Sequence, residues 1–284
     1  KTMSIHTLYI LLSLAAACLT VPLQAAERVP LKLWYDEPAV EWMTSALPVG
    51  NGDMGAMFFG GVAHEQVQFN EKTLWSGSTE KRGAYRNFGN IYMDFQTPDT
   101  CSGYRRELSL DEGVGRVSYT IGGTRYVREY FASHADSVVV MRLSTPGSRG
   151  RLNLALRMVD GEGRQAVTGG NMFVVSGRLD LLQYEAQAVV KAEGGTVRTE
   201  DGRLVVSGAD AVTVVLAAAT DFDLSSPTYT SGDARGVHSR VSARVERASA
   251  LAYKKLRARH VEDYSRLFGR VDLELTDDVP LMTT

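Results

Sequence analysis

The sequence predicts a mainly β protein, a large antiparallel β-sandwich followed by two helices. Between residues 31 and 222, short β-type runs alternate with glycine and aspartate turns, which is the pattern of an antiparallel sandwich. After Pro227 the apolar residues recur at helical spacing instead. The composition, 44% hydrophobic and 23% charged over 284 residues, is typical of a protein with a well-buried core.

The first strands are predicted within residues 42–75. Gly50, Gly52 and Gly55 match the G-x-G-x-x-G spacing of a dinucleotide-binding loop, which needs a strand before it and a helix after it. Here Pro48 precedes the glycines, and the apolar run 56–59 with a Gly-Gly turn follows, which predicts strands and a hairpin. We therefore expect no nucleotide, and interpret the glycines as supplying positive φ and close backbone approach at a tight corner between strands.

The later strands are separated by clear turns. Residues 115–121 and 125–131 flank Gly122-Gly123 and alternate in character, which predicts a hairpin. Further strands are expected at residues 136–143, 152–159, 184–192, 203–207 and 211–219, with turns at 194–195 and 201–202.

Two helices are predicted to close the sandwich. The first rests on apolar residues at helical spacing, namely Val237, Val241, Val245, Ala248 and Ala252. The second is rich in Arg and Lys, covers residues 251–268 and ends at Gly269. Residues 271–275 alternate like one more strand, and the last residues to Thr284 show no closing element.

The apolar run over residues 5–26 is interpreted as a secretory signal peptide cleaved after Ala25 or Ala26, with a membrane anchor as the alternative. Export to the periplasm or the medium is expected. Residues 14–18 also loosely resemble a lipobox, which would make Cys18 a lipidated N-terminus. With ordinary cleavage Cys101 is the remaining cysteine, so no internal disulfide is expected.

Charge and motifs argue against several classes of function. The net charge is −2 with Lys and Arg scattered, so no nucleic-acid partner is expected. The sequence has no G-x-S-x-G, H-E-x-x-H, phosphate-binding loop or C-x-x-C. The five histidines have no ligand spacing, so neither a metal nor another cofactor is predicted.

Carboxylates and aromatic residues leave carbohydrate chemistry open. A pair of carboxylates can hydrolyse a glycoside, and four acids near turns or strand ends are candidates, each with a solvated surface position as the favoured alternative: Asp53, Glu65, Glu71 and Asp94. Lys72 and Arg86 could pair with these acids.

The three tryptophans, Trp34, Trp42 and Trp75, lie in the first quarter of the chain. An exposed indole could stack on a sugar while Asn51, Asp53 or Asn70 binds hydroxyl groups, although burial in the core is the favoured alternative for each tryptophan.

Taken together, several segments resemble glycoside hydrolase family 95, the α-L-fucosidases and related α-L-galactosidases. The resemblance is carried by residues 42, 47–52, 55–57, 60, 70–77 (N-E-K-T-L-W-S-G), 85–95, 104–111, 128–133, 217–220, 260–268 and 270–271. It covers nearly the whole chain after the signal peptide. One departure is a short loop before Tyr85, where many members carry an insertion.

The resemblance implies an N-terminal super-sandwich over residues 27–225, after a signal peptide at 1–26, and a helical linker with a closing strand over 226–284. The family continues into an (α/α)6 barrel that holds the acid and the groups positioning the water for inverting hydrolysis of terminal α-L-fucosyl linkages, without metal or nucleotide. No residue here matches them, so no catalytic residue is assigned and the chain alone is expected to be inactive. The implied partners are that barrel and a fucosylated oligosaccharide.

Three roles for the domain remain open. It could lend the 50–55 corner or the 70–75 segment to the rim of the cleft, act as an independent carbohydrate-binding module, or only support the barrel. The substrate-cleft candidates are Trp42, Asn51, Asp53, Asn70, Glu71 and Trp75. Exposure of Trp42 or Trp75 would favour binding, and burial of both would favour support.

Overall fold

Two antiparallel sheets packed face to face form most of the protein. The computed structural model describes residues 30–78 and 80–273. Eighteen strands run through these residues: β1 (Lys32–Tyr35), β2 (Leu47–Gly50), β3 (Met54–Phe58), β4 (His64–Glu71), β5 (Trp75–Ser76), β6 (Ala84–Tyr85), β7 (Gly89–Phe95), β8 (Ser102–Ser109), β9 (Val114–Ile121), β10 (Thr124–Ser133), β11 (Val138–Ser144), β12 (Leu152–Asp160), β13 (Val167–Gly169), β14 (Met172–Leu179), β15 (Leu182–Glu193), β16 (Thr196–Glu200), β17 (Arg203–Ala209) and β18 (Ala211–Thr220).

The strands form a nine-stranded sheet, a seven-stranded sheet and one short pair. The nine-stranded sheet has the order β1-β8-β9-β10-β11-β18-β15-β14-β13, and the seven-stranded sheet has the order β16-β17-β12-β7-β4-β3-β2. Strands β5 and β6 pair only with each other, so that Trp75 lies opposite Tyr85. The mainly β, antiparallel fold predicted from the sequence is confirmed.

Alternation along the strands builds the core between the sheets. In β4 and β12 every second side chain is buried and the others are half-exposed or, at His64, exposed, because successive residues of a strand point to opposite faces. The inward residues of both sheets form one continuous apolar cluster, which includes Phe58, Phe69 and Tyr130. The rings of Phe58 and Tyr130 stack across it at 4.5 Å.

Two helices cover the outer face of the nine-stranded sheet. Helix α1 (Ala234–Ser249) begins at Asp233, whose carboxylate accepts a hydrogen bond from the Gly236 amide, and α2 (Tyr253–Phe268) ends at Gly269. Val237, Val241, Val245 and Ala248 face outward residues of β11 and β18 in a second apolar cluster. Strand β18 is therefore buried along its whole length.

The turn between β3 and β4 is folded into the interior and is held by a buried ion pair. Glu65 accepts hydrogen bonds from the amides of Phe59 and Gly60 at 3.1 and 2.9 Å. Arg128 of β10 donates to Glu65 at 2.8 Å and to the carbonyls of Gly61 and Val62 at 2.6 and 2.7 Å. The pair thus satisfies backbone groups that water does not reach.

The strands and helices predicted over residues 115–268 are all present, with small shifts at their ends. Three details of the sequence interpretation are wrong. Of Gly50, Gly52 and Gly55 only Gly52 has a positive φ, and the other two face each other in β2 and β3 as ordinary strand residues. Ala252 is the N-cap of α2 rather than part of α1. Residues 271–273 form no strand.

Some predictions are not tested by the structure. The signal peptide and the Cys18 lipidation lie outside the described residues, and the domain boundary at residue 225 stays a prediction. In the described part of the chain, no helix is both long and apolar enough to span a membrane.

Candidate functional site

The β2–β3 turn is pinned to the end of the opposite sheet by Asn51. Its side-chain oxygen accepts from the amides of Asp53 and Met54 at 3.0 and 2.7 Å, and its amide nitrogen donates to the Ser133 carbonyl at 3.0 Å. Both the acceptor oxygen and the donor nitrogen of the Asn51 side-chain amide are therefore hydrogen-bonded. Asn51 therefore positions the turn.

Asp53 and Lys72 join the same turn to the end of β4. Their side chains meet at 2.5 Å, and the Lys72 hydrogen bond lowers the pKa of the Asp53 carboxyl. The predicted pairing of Lys72 with one of the acids is confirmed, whereas Arg86 pairs with Glu162 instead. Both side chains of the Asp53–Lys72 pair are well exposed, so the pair adds little stability.

Glu71 is buried at the end of β4 and closes the turn that follows it. Its carboxylate accepts from the amide and the hydroxyl of Thr73 at 2.9 and 2.6 Å. Burial raises the pKa of Glu71, and the Thr73 hydrogen bonds oppose that shift. The Thr73 hydroxyl also meets that of Thr220 at 2.5 Å, which joins β4 to the end of β18.

Trp75 lines a cavity of about 550 Å³, which we call the Trp75 depression. Its indole meets the Tyr85 ring edge-on, with centroids 5.3 Å apart. The lining comes from three stretches of chain: Lys72, Thr73, Trp75, Gly77, Ser78 and Tyr85; Leu181 and Leu182; Phe222, Leu224, Thr228 and Tyr229. Five of these are exposed large hydrophobic residues, namely Trp75, Tyr85, Phe222, Leu224 and Tyr229.

Tyr229 adopts a left-handed backbone conformation with φ at 58°. For a bulky side chain this conformation is an outlier that costs energy and persists where the surroundings enforce it. Two hydrogen bonds hold the backbone around Tyr229. The Asp223 amide donates to the Tyr229 carbonyl at 3.0 Å, and the Thr230 hydroxyl donates to Asp221 at 2.6 Å. Strain of this kind is common at binding sites.

Trp42 and Asn70 line a second depression of about 440 Å³, together with Gln68, Arg86 and Asn87 among others. Trp42 is 47% exposed and Trp75 is 36% exposed, so the expectation that they are core residues is wrong for both. Trp34 is half-buried beneath the Arg105 guanidinium at 4.0 Å. Tyr85 lines both depressions.

The six predicted residues therefore do not form one cleft. Asp53 and Glu71 lie beside Lys72, Trp75 faces the first depression, and Asn51 borders a third depression of about 410 Å³ near His134. Among the four candidate acids, the surface expectation is wrong for Glu65 and Glu71, which are buried. No cluster of metal-ligating side chains occurs within residues 30–78 and 80–273.

The sequence reasoning missed Phe222, Leu224 and Tyr229. They belong to the loop between β18 and α1, and only the pairing of β18 with β15 brings that loop beside Trp75. Tyr85 could have been noticed, since it begins one of the segments that carry the family resemblance.

The two-sheet fold is that of an N-terminal domain of glycosyl hydrolases. The family model described as glycosyl hydrolase family 65, N-terminal domain, matches residues 33–86 and 78–225, and the chain belongs to this family.

The chain is also similar to named α-fucosidases. It is 29% identical to "Alpha-L-fucosidase 2" of Arabidopsis thaliana, over 87% of this chain and 37% of the relative. It is 27% identical to "Probable alpha-fucosidase A" of Aspergillus niger, over 93% of this chain and 40% of the relative. A namesake from Aspergillus oryzae is 23% identical, over 86% and 41%. The chain thus spans about two fifths of the length of these relatives.

Proposed function

We propose that this chain is the N-terminal, non-catalytic domain of an exported α-L-fucosidase-like glycoside hydrolase of family 95. The parent enzyme would hydrolyse terminal α-L-fucosyl linkages with inversion, using a barrel in its C-terminal region, on which the sandwich packs. The similarity to α-fucosidases, each more than twice as long as the matched segment, supports this proposal.

The Trp75 depression is the part of the domain that we assign to the rim of the catalytic cleft. The single observation that carries this is the group of exposed aromatic side chains around a strained Tyr229. A 6-deoxy sugar offers a methyl group and a C–H face, which pack well against aromatic rings. Thr228 and Ser78 supply hydroxyl groups in the same wall. Such a mixture of apolar walls and few polar groups is typical of ligand sites.

In the parent enzyme, catalysis and substrate binding would be carried out by two different parts of the protein. The acid and the positioned water would come from the C-terminal region, separated by about 6.5–9.5 Å as inversion requires. The residues of this chain would bind and orient the substrate, and exclude water from one side. Glu71 and Asp53 hold turns in place and are not assigned a proton transfer.

Fucose release tests the proposal. We expect no release from 2′-fucosyllactose by the 284-residue chain and release by a longer protein that continues through the C-terminal region. In that longer protein, Trp75→Ala should reduce kcat/KM about tenfold or more, because an aromatic packing surface is lost. Trp42→Ala is the matched control and should change it less than about twofold. Fucose release by the chain alone, or equal effects of both substitutions, would contradict the proposal.

A further inference from the structure

The outer faces of the two sheets differ in chemistry. The nine-stranded sheet presents valine and alanine outward, and the apolar sides of α1 and α2 cover them. The seven-stranded sheet presents a half-exposed face in which side chains at alternate positions of β4 and β7 point away from the core.

Amide side chains dominate the centre of that outer face. Gln66, Gln68 and Asn70 follow one another on β4, and Asn90 lies opposite Gln68 on β7. Gln66 donates to Asn90 at 2.8 Å, which fixes the orientation of both groups. Within the described residues, the Gln68 amide group has no hydrogen-bond partner. A planar group that both donates and accepts is thus presented at the surface.

Aromatic residues stand at the end of this row of amides. The second depression, about 440 Å³ in volume, is bounded by Trp42 and Tyr85 and has Gln68 and Asn70 in its lining. Trp42 is 47% exposed and Tyr85 is 70% exposed, so both rings are accessible to a ligand. Exposed aromatic rings beside side-chain amides suit sugars, whose C–H faces pack on rings and whose hydroxyl groups pair with amides.

The charges around the depression favour a neutral ligand. Arg86, the charged residue in its lining, already contacts Glu162 at 3.1 Å. Farther along the face, the Arg157 guanidinium lies over the Tyr92 ring at 3.7 Å, and His64 contacts Asp94 at 2.9 Å. An acidic sugar would therefore find no unpaired cation in the depression, whereas the hydroxyl groups of a neutral sugar would find amides.

We propose that the outer face of β3, β4 and β7 is a binding site for a neutral oligosaccharide, with Trp42 and Tyr85 packing on one sugar and Gln68 with Asn70 binding the hydroxyl groups of the next. The site would hold a glycan chain independently of hydrolysis. This site and the Trp75 depression share only Tyr85 among their lining residues.

Isothermal titration of the 284-residue chain with the neutral tetrasaccharide lacto-N-tetraose tests this site. We expect a Kd on the order of 0.1–1 mM, the weak range that a few stacking and amide contacts provide. Trp42→Ala and Gln68→Ala should each weaken binding, by about tenfold and about threefold. Both residues lie at the surface or half-exposed, and circular dichroism would verify that the variants keep the fold.

One variant and one ligand serve as controls for the location of the site and for its preference for a neutral sugar. His64→Ala changes the same face of β4 about 20 Å from Asn70, at about 3.3 Å per residue, and should leave the Kd unchanged. A sialylated tetrasaccharide of the same core should bind no more tightly than the neutral one.

The result that would overturn the inference is a folded chain that shows no heat of binding at about ten times the expected Kd. Binding lost in Trp75→Ala but kept in Trp42→Ala would also overturn it, because the ligand would then occupy the Trp75 depression. Neither outcome bears on fucose release by the longer protein, so this site and the proposed function can fail separately.

Discussion

Replacing Glu65 by glutamine should destabilise the protein by about 3–5 kcal/mol, the usual cost of removing one partner of a buried ion pair. Glu65 and Arg128 have side chains that are 0% and 2% exposed. The carboxylate accepts four hydrogen bonds, from two backbone amides, from Arg128 at 2.8 Å and from the Tyr130 hydroxyl at 2.9 Å. Glutamine keeps the shape of the side chain but turns one acceptor into a donor and leaves the Arg128 charge without a counter-ion.

Two contributions support that magnitude. Loss of hydrogen bonds to a charged group costs about 1.5–3 kcal/mol each, and the amide nitrogen of glutamine must oppose at least one donor. Arg128 cannot escape by losing its proton, because a guanidinium stays charged at neutral pH. For a domain of this size, 3–5 kcal/mol corresponds to a fall in Tm on the order of 6–20 °C.

Urea denaturation followed by circular dichroism at pH 7 measures the effect. The exposed pair supplies the control, since Asp53→Asn should cost at most about 1 kcal/mol. The double variant Glu65→Gln with Arg128→Met should be clearly less destabilised than the sum of the two single changes, because the residues interact directly. A loss below about 1 kcal/mol for Glu65→Gln would refute the reasoning, since the turn would then not depend on the carboxylate.

Two further predictions concern backbone packing and pH. Gly61→Ala would place a Cβ 1.9 Å from the His64 carbonyl oxygen and should lower the unfolding free energy by about 2 kcal/mol or more. Gly169→Ala is the control, because nothing lies within 4 Å of its new Cβ, and it should change the unfolding free energy by no more than about 0.5 kcal/mol. Equal effects of the two substitutions would be inconsistent with the turn geometry. His260 contacts the carbonyls of Glu112 and Gly113, and its burial lowers the pKa of the imidazole. As the pH falls below 6.5, the ordinary pKa of histidine, the unfolded chain therefore binds a proton at His260 before the folded protein does. Unfolding free energy should therefore decrease between pH 7.5 and 5.5 in urea titrations, and His260→Gln should reduce this slope; an unchanged slope would show that other groups cause it.

Local signals in the sequence are sufficient to predict most of the fold. The β9–β10 hairpin follows from alternation around Gly122-Gly123, and α1 follows from the spacing of Val237, Val241 and Val245, because these patterns depend only on neighbouring residues. The residues after Gly269 alternate like a strand, yet a strand also needs a partner edge, which three to five residues of sequence do not reveal.

The candidate site is less accessible to sequence reasoning because its contacts are distant in sequence. Glu65 and Arg128 are 63 residues apart, and nothing around either residue marks it as half of a buried pair. Trp75 and Tyr229 line the same cavity because β18 leads the chain back past β15. The local sequence identified Trp42 and Trp75 as candidates, but their exposure and their separation into two depressions required the three-dimensional arrangement.

The complete burial of β18 has a consequence for synthesis of the protein. A ribosome finishes Ala211–Thr220, an uncharged run of alanine, valine, leucine and threonine, before it makes α1, which covers one side of that strand. Until α1 emerges, the growing chain exposes a segment with the features of aggregation-prone sequences. A chaperone that binds short apolar stretches would be most useful to this protein during that interval, and chains terminated before residue 234 should accumulate as insoluble material.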